Sequence, residues 1–126
     1  MPKSDGYAAQ SQWLKALAHP VRLQILEILR DGEACVCHLE AALGYRQAYL
    51  SQQLGVLRRA GLLAERKSGL FAYYRVANPD LFDLLDELRQ RFARQAKQSG
   101  RTIEFRSVPK VDEAKCDCPR CAEKAE

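Results

Sequence analysis

Apolar residues recur at helical spacing through most of the chain, and the period changes once. Trp13, Leu14 and Leu17 predict a first helix over Gln10 to Ala18, with residues 1–9 as a flexible start. His19-Pro20 interrupts it, because proline suits the first position of a helix and pushes the preceding residue out of helical geometry. A second helix therefore runs from Pro20 to about Arg30, with Val21, Ile25, Ile28 and Leu29 inward and Gly32 as its cap. A short third helix, about Ala34 to Leu43, carries Val36, Leu39 and Leu43 on one face. Gly44-Tyr45-Arg46 reads as a tight turn, and a fourth helix, about Gln47 to Ala60, buries Leu50, Leu54 and Leu57. Two short helices joined by a glycine-containing turn form a helix-turn-helix pattern.

Beyond Gly61 the period becomes strand-like. Leu62 to Lys67 and Phe71 to Val76 flank Ser68-Gly69-Leu70, a turn of hairpin length, so a two-stranded wing is expected with Arg66 and Lys67 near its tip. Asn78-Pro79-Asp80 is a strong helix start. The fifth helix has Leu81, Leu84, Leu85, Leu88 and Phe92 on one stripe, acids early, bases late, and Gly100 at its end. Such a stripe beyond a compact winged helix needs cover, and a two-fold partner joined through the first and last helices is the economical one. Ile103-Glu104-Phe105 is expected as a short extended piece.

The fold class expected is mainly α with a small β-hairpin: a winged helix-turn-helix of about five helices, paired as a homodimer. Residues 10–100 would form the DNA-binding and dimerisation domain, and residues 101–126 an extension with a Cys-rich tail.

Composition narrows the class. The 126 residues are 47% hydrophobic and 29% charged, an ordinary globular balance, and no apolar run reaches the ~18 residues of a membrane span. The stretch from Met1 to Gln12 lacks the apolar centre of a secretory signal, so a cytoplasmic location with no membrane partner is expected. From Leu43 to Val76, six basic residues (Arg46, Arg58, Arg59, Arg66, Lys67, Arg75) face one acid, Glu65. Charge gathered on one module suits a polyanion, although a solvated basic face would look the same. With two His and no nucleophile–base pattern, phosphate loop or paired carboxylates, an enzyme is not expected.

In a helix-turn-helix protein the N-terminal residues of the second helix meet base edges in the major groove. That assigns Gln47, Tyr49, Ser51 and Gln52 as readers of double-stranded operator DNA, with Arg46 beside them for phosphate or base. Arg66 and Lys67 would contact the backbone or minor groove.

Five cysteines in a reducing compartment point to metal, redox or reactive-thiol chemistry rather than standing disulfides. Cys35 and Cys37, at i and i+2, point about 200° apart on a regular helix and cannot share a ligand there. At an extended helix start, i and i+2 fall on one side, so local unwinding would aim both sulfurs at one ligand. The plainer alternative is two small buried hydrophobes. Cys116, Cys118 and Cys121 supply a second group of sulfurs. They suit trigonal As(III) or Sb(III), or three of the four ligands of Zn, Cd or Pb. The roughly 15 residues before Cys116 span about 50 Å when extended, enough to reach Cys35 and Cys37 of either subunit. His38 is the weaker nitrogen candidate, and His19 is expected to be structural.

The stretch from Leu14 to Pro79 resembles the ArsR/SmtB family of metal-responsive repressors. The resemblance is carried by Leu17-Ala18-His19-Pro20-Val21-Arg22, by Glu33-Ala34-Cys35-Val36-Cys37-His38-Leu39, and by Leu50-Ser51-Gln52-Gln53-Leu54 with Ala60-Gly61-Leu62. Gly69-Leu70-Phe71-Ala72-Tyr73-Tyr74-Arg75 completes it. It implies a homodimeric winged helix that blocks its promoter when unliganded and leaves DNA when ligand binds. Cys35-Val36-Cys37 resembles the arsenic- and cadmium-sensing branches. Gln53 and Ala48 depart from the His and Pro frequent there, and the last helix lacks the His of zinc, nickel or cobalt sensors. The expected function is a repressor that needs no cofactor to bind DNA and is released by a thiophilic ion. As(III) or Sb(III) is favoured, with Cd, Pb or Zn as alternatives. Two rivals stand beside it: a repressor sensing oxidants or reactive sulfur, and a constitutive DNA-binding module with a structural zinc site.

Overall fold

The computed structural model describes residues 5–105, which fall into two compact units, 5–77 and 78–105. In chain order the elements are α1 (Gly6–Leu17), α2 (Pro20–Leu29), β1 (Ala34–Cys35), α3 (Val36–Leu43), α4 (Gln47–Arg59), β2 (Leu63–Ser68), β3 (Phe71–Val76) and α5 (Asp80–Gln98). Among the described residues this is the expected winged helix-turn-helix, with five helices and one antiparallel sheet. No helix among them is long and apolar enough to cross a membrane.

Three expectations shift. The start of the chain is helical from Gly6, because Asp5 accepts the Tyr7 amide at 3.0 Å and caps α1 earlier than the apolar pattern suggests. The sheet has three strands in the order β1-β3-β2, so the expected two-stranded wing gains a third. Ala34 and Cys35, expected in the third helix, instead pair with Tyr74 and Tyr73 of β3, and α3 begins at Val36. Beyond α5, Ile103-Glu104-Phe105 belongs to no helix or strand. Phe105 stacks edge-on against Phe92 at 6.5 Å and lies beneath the Arg89 guanidinium at 4.4 Å.

The first unit is held by a small apolar core. Ile25, Leu26, Leu39, Leu50, Leu54 and Leu57 are fully buried, contributed by α2, α3 and α4. On α2 the inward stripe includes Leu26, whereas Ile28 is only half-buried. Pro20 opens α2, and His19 caps it through Nδ1, which accepts the Val21 amide at 3.2 Å. This is the structural role expected of His19.

Arg22 then ties three helices together. Its guanidinium donates to the carbonyls of Ala16 (2.7 Å) and Lys15 (3.1 Å) at the end of α1, and to Gln53 Oε1 (3.0 Å) on α4. Carbonyls left open by the last turn of α1 are thereby satisfied from α2. Gly44 sits at φ +77° between α3 and α4, a left-handed position that a side chain adopts only with strain. It sets the turn that presents α4. β2 and β3 pair from Leu63↔Val76 to Ser68↔Phe71 around the two-residue loop Gly69-Leu70.

The second unit is α5 and the residues after it. Asn78 accepts the Asp80 amide at 3.0 Å, and Asp80 and Asp83 occupy the first turn with Lys97 in the last. The single apolar stripe expected of this helix divides: Leu81 and Leu85 are buried, while Leu84, Leu88 and Phe92 are exposed.

Truncating a fully buried core leucine removes contacts that the surroundings cannot rebuild. Leu54→Ala should therefore cost about 2–5 kcal/mol of stability, read from the midpoint of a urea unfolding curve with unchanged slope.

Candidate functional site

α4 divides cleanly between packing and presentation. Leu50, Leu54 and Leu57 point into the core, and the intervening polar residues lie outside. Arg46 stands at the N-cap of α4 without a side-chain cap hydrogen bond and is exposed, as are Gln47, Ser51 and Gln52. Tyr49 is half-buried and its ring leans on Tyr45 at 5.3 Å, which fixes its direction beside the turn. The four expected readers thus share the first two turns of one helix, with Arg46 at its N-cap. Gln53, where the family resemblance departs, is turned to Arg22 instead. It serves the docking of α4 on α2.

The wing places Arg66 and Lys67 side by side on β2, both exposed. Lys67 lies 3.8 Å from Glu65, a loose contact with the ammonium largely in water. Glu65 in turn accepts from the Tyr74 hydroxyl at 2.9 Å, and burial followed by this bond pushes the Tyr74 phenol above its ordinary pKa. Arg66 is engaged within the protein. Its Nη2 and Nε donate to the two oxygens of Glu33 at 2.6 and 3.3 Å, and its guanidinium lies 4.6 Å over the Tyr73 ring. The Glu33 hydrogen bond raises the Arg66 pKa further.

The sulfur pair is built by β1. Pairing with Tyr73 holds Cys35 extended at φ −85°, ψ 167°, and the helix begins only at Val36. Cys35 and Cys37 consequently face the same side, with Cα atoms 5.4 Å apart and their sulfurs joined as a disulfide. The unwinding expected as a ligand-driven distortion is instead the resting geometry of this helix start. Cys35 is buried and Cys37 half-buried, against Tyr73 and Phe71. The His38 amide donates to Cys35 Sγ at 3.3 Å, so the first turn of α3 offers a hydrogen bond to sulfur.

Two soft donors side by side suit a thiophilic ion chemically. Among the described residues no cluster of three His, Cys, Asp or Glu is placed to hold one. Cys116, Cys118 and Cys121 lie outside the described residues. Glu33 and Tyr73 were not foreseen as part of the site. The only prior signal was an acid two positions before a cysteine and an aromatic on the wing, neither distinctive in itself.

Comparison with known proteins places this geometry. Residues 19–65 match the family described as "Bacterial regulatory protein, arsR family". An uncharacterised HTH-type transcriptional regulator of Mycobacterium tuberculosis is 43% identical over 89 residues, covering 70% of this chain and 78% of that one. Its crystal structure superposes with a TM-score of 0.70 at 39% identity, covering 77% of this chain and 98% of that one. The arsenical resistance operon repressor of Escherichia coli is 43% identical over 67 residues, 52% of this chain and 57% of its own. A homodimeric winged helix-turn-helix DNA-binding domain of Mycobacterium bovis superposes with a TM-score of 0.62 at 34% identity, covering 71% and 90%. These proteins are regulators of transcription rather than enzymes. With its buried α4 stripe, exposed polar face on α4 and three-stranded sheet, the chain belongs to the ArsR family of winged-helix DNA-binding transcriptional regulators.

Proposed function

We propose that this chain is a cytoplasmic, homodimeric repressor that binds operator DNA and is released when a thiophilic ion is captured by its cysteines. As(III) or Sb(III) is the favoured ion, with Cd, Pb or Zn as alternatives. The observation that carries this reading is the placement of Cys35 and Cys37 on one side of the start of α3, the helix that packs against the recognition helix. The name of the Escherichia coli relative supports the metalloid, for that protein.

In this reading α4 lies in the major groove. Gln47, Tyr49, Ser51 and Gln52 meet base edges, Arg46 meets phosphate or base, and Arg66 and Lys67 add backbone or minor-groove contacts. Two-fold pairing supplies two half-sites, and the exposed Leu14 of α1 with Leu84, Leu88 and Phe92 of α5 supports a partner at those helices. Cys35 and Cys37 donate two thiolates. A third soft donor would come from Cys116, Cys118 or Cys121, and binding draws the start of α3 toward it. Because α3 braces α4, that movement changes how α4 is presented to DNA.

The second reading replaces the ion with an oxidant, and the bond joining the two sulfurs favours it. Two thiols give up two protons and two electrons to a peroxide, forming one disulfide and two waters. No third donor is needed.

One titration separates the two. Operator affinity of the reduced protein is measured against arsenite, cadmium and peroxide, with Cys35→Ser and Cys116→Ser alongside. Release by arsenite at sub-stoichiometric oxidant, lost in Cys35→Ser and weakened in Cys116→Ser, is expected. Release by peroxide alone, reversed by thiol and indifferent to Cys116→Ser, would sink the metalloid reading. Metal bound on purification, with no change in affinity on its removal, would favour the constitutive zinc module.

The readers and the dimer carry their own expected outcomes. Gln52→Ala should cost about 1–3 kcal/mol of operator binding while leaving binding to unrelated DNA unchanged. Equal loss on both would remove Gln52 from the reading face. Leu88→Glu should convert the dimer to monomer in sedimentation velocity and reduce operator affinity in step.

A further inference from the structure

The sheet brings the sulfur pair and the wing into one transverse row. Tyr73 on β3 is the register partner of Cys35 on β1 and of Arg66 on β2, so the three side chains stand on the same face, in the order Cys35, Tyr73, Arg66. Tyr73 is buried, and it packs against Cys35 with Cys37 and Phe71 at the edge of the same cluster. The Arg66 guanidinium covers its ring. Glu33, two residues before Cys35, reaches across this row and takes the guanidinium in two hydrogen bonds. The result is a strap. It begins on the backbone segment that leads into Cys35, passes over Tyr73 and ends on a wing cation.

We propose that Glu33 is a positioning residue that couples the state of the Cys35–Cys37 pair to the wing, by holding Arg66 away from DNA phosphate while the sulfurs are joined. This rests on the reading of the pair as the switch. Three features carry it. A bidentate carboxylate neutralises Arg66 and points its donors inward, so the group that would pair with phosphate is already occupied. The pair is open to solvent on the Arg66 side and half-buried at Glu33, and a pair so partly solvated is weak enough for DNA to displace Glu33 once the geometry relaxes. Lastly, Glu33-Ala34-Cys35 is a single short segment whose last two residues are buried and paired. A close-packed segment does not absorb a change at Cys35 locally, so a shift there is passed to Glu33. Reduction of the Cys35–Cys37 disulfide by two equivalents of a small thiol, which supply two electrons and two protons and leave as their own disulfide, frees Cys35 from its tie to Cys37, slackens the strap and returns one cation to the wing. DNA affinity thereby rises in the dithiol state through a contact that lies outside the recognition helix.

The test measures operator affinity across a potassium chloride series. The proteins are wild type, Glu33→Gln, Arg66→Gln and the double variant, each fully reduced and each with Cys35 and Cys37 oxidised. Glu33→Gln is expected to raise affinity of the oxidised form about two- to five-fold, to steepen its salt dependence by about one phosphate contact, and to narrow the ratio between the two forms. Arg66→Gln should abolish each of these gains, because the carboxylate then has no wing cation to hold. Equal melting temperatures for wild type and Glu33→Gln establish that the fold is unchanged. A wild type that switches, beside a Glu33→Gln variant with the same salt slope and the same ratio, overturns the strap alone. A wild type whose affinity ignores the sulfur state overturns the sensing reading, and the coupling falls with it.

Discussion

Ala34 and Cys35 pair with Tyr74 and Tyr73, and this short stretch of backbone pairing holds Cys35 extended where α3 was expected to begin two residues earlier. Much of the site follows from that constraint. Extended geometry puts residues i and i+2 on one side, so the sulfurs of Cys35 and Cys37 meet, which a regular helix forbids. The same pairing buries Cys35 against Tyr73 and sets it in register with Arg66. It also begins α3 at Val36, where the first turn directs the His38 amide at sulfur. A sulfur pair elsewhere on α3 would have none of these connections.

The DNA-facing side depends on a different economy. α4 spends Leu50, Leu54 and Leu57 on the core, and is held from α2 through Arg22 and Gln53. Its outward residues Gln47, Ser51 and Gln52 are exposed, while Tyr49 leans on Tyr45. Arg22 also closes the carbonyls of the last turn of α1, so the first helix, the second and the recognition helix share one guanidinium. A movement of α3 then works against a firmly seated α4.

What could be read from the residues in order was whatever repeats or punctuates locally. The spacing of Leu50, Leu54 and Leu57, the break at His19-Pro20, the turn at Gly44 and the hairpin at Gly69 are local signals, and each has its structural counterpart. β1 was not legible, since two residues carry no period and their partners lie far along the chain. Nor was the bond between Glu33 and Arg66, separated by 33 positions and dependent on that strand. On α5 periodicity found the apolar residues but not how they divide, because burial depends on what covers each face. Leu81 and Leu85 are buried, and Leu84, Leu88 and Phe92 are exposed.

Selectivity between an ion and an oxidant is a matter of donor count. Two sulfurs held side by side suffice for a disulfide, which needs only that they touch and that an electron acceptor arrives. Trigonal or tetrahedral coordination asks for a third or fourth donor, and the described residues bring no such cluster together. The Cys35–Cys37 pair is therefore competent by itself for redox chemistry and incomplete by itself for a metalloid. In the proposed function, Cys116, Cys118 and Cys121 are the residues that would decide between the two. If they complete the site, coordination closes a long loop onto the start of α3 and draws on a pair already preorganised to receive it. If they do not, the same preorganisation lowers the barrier to closing the pair on itself. In either proposed reading Cys35 is, among the described residues, the cysteine paired into the sheet.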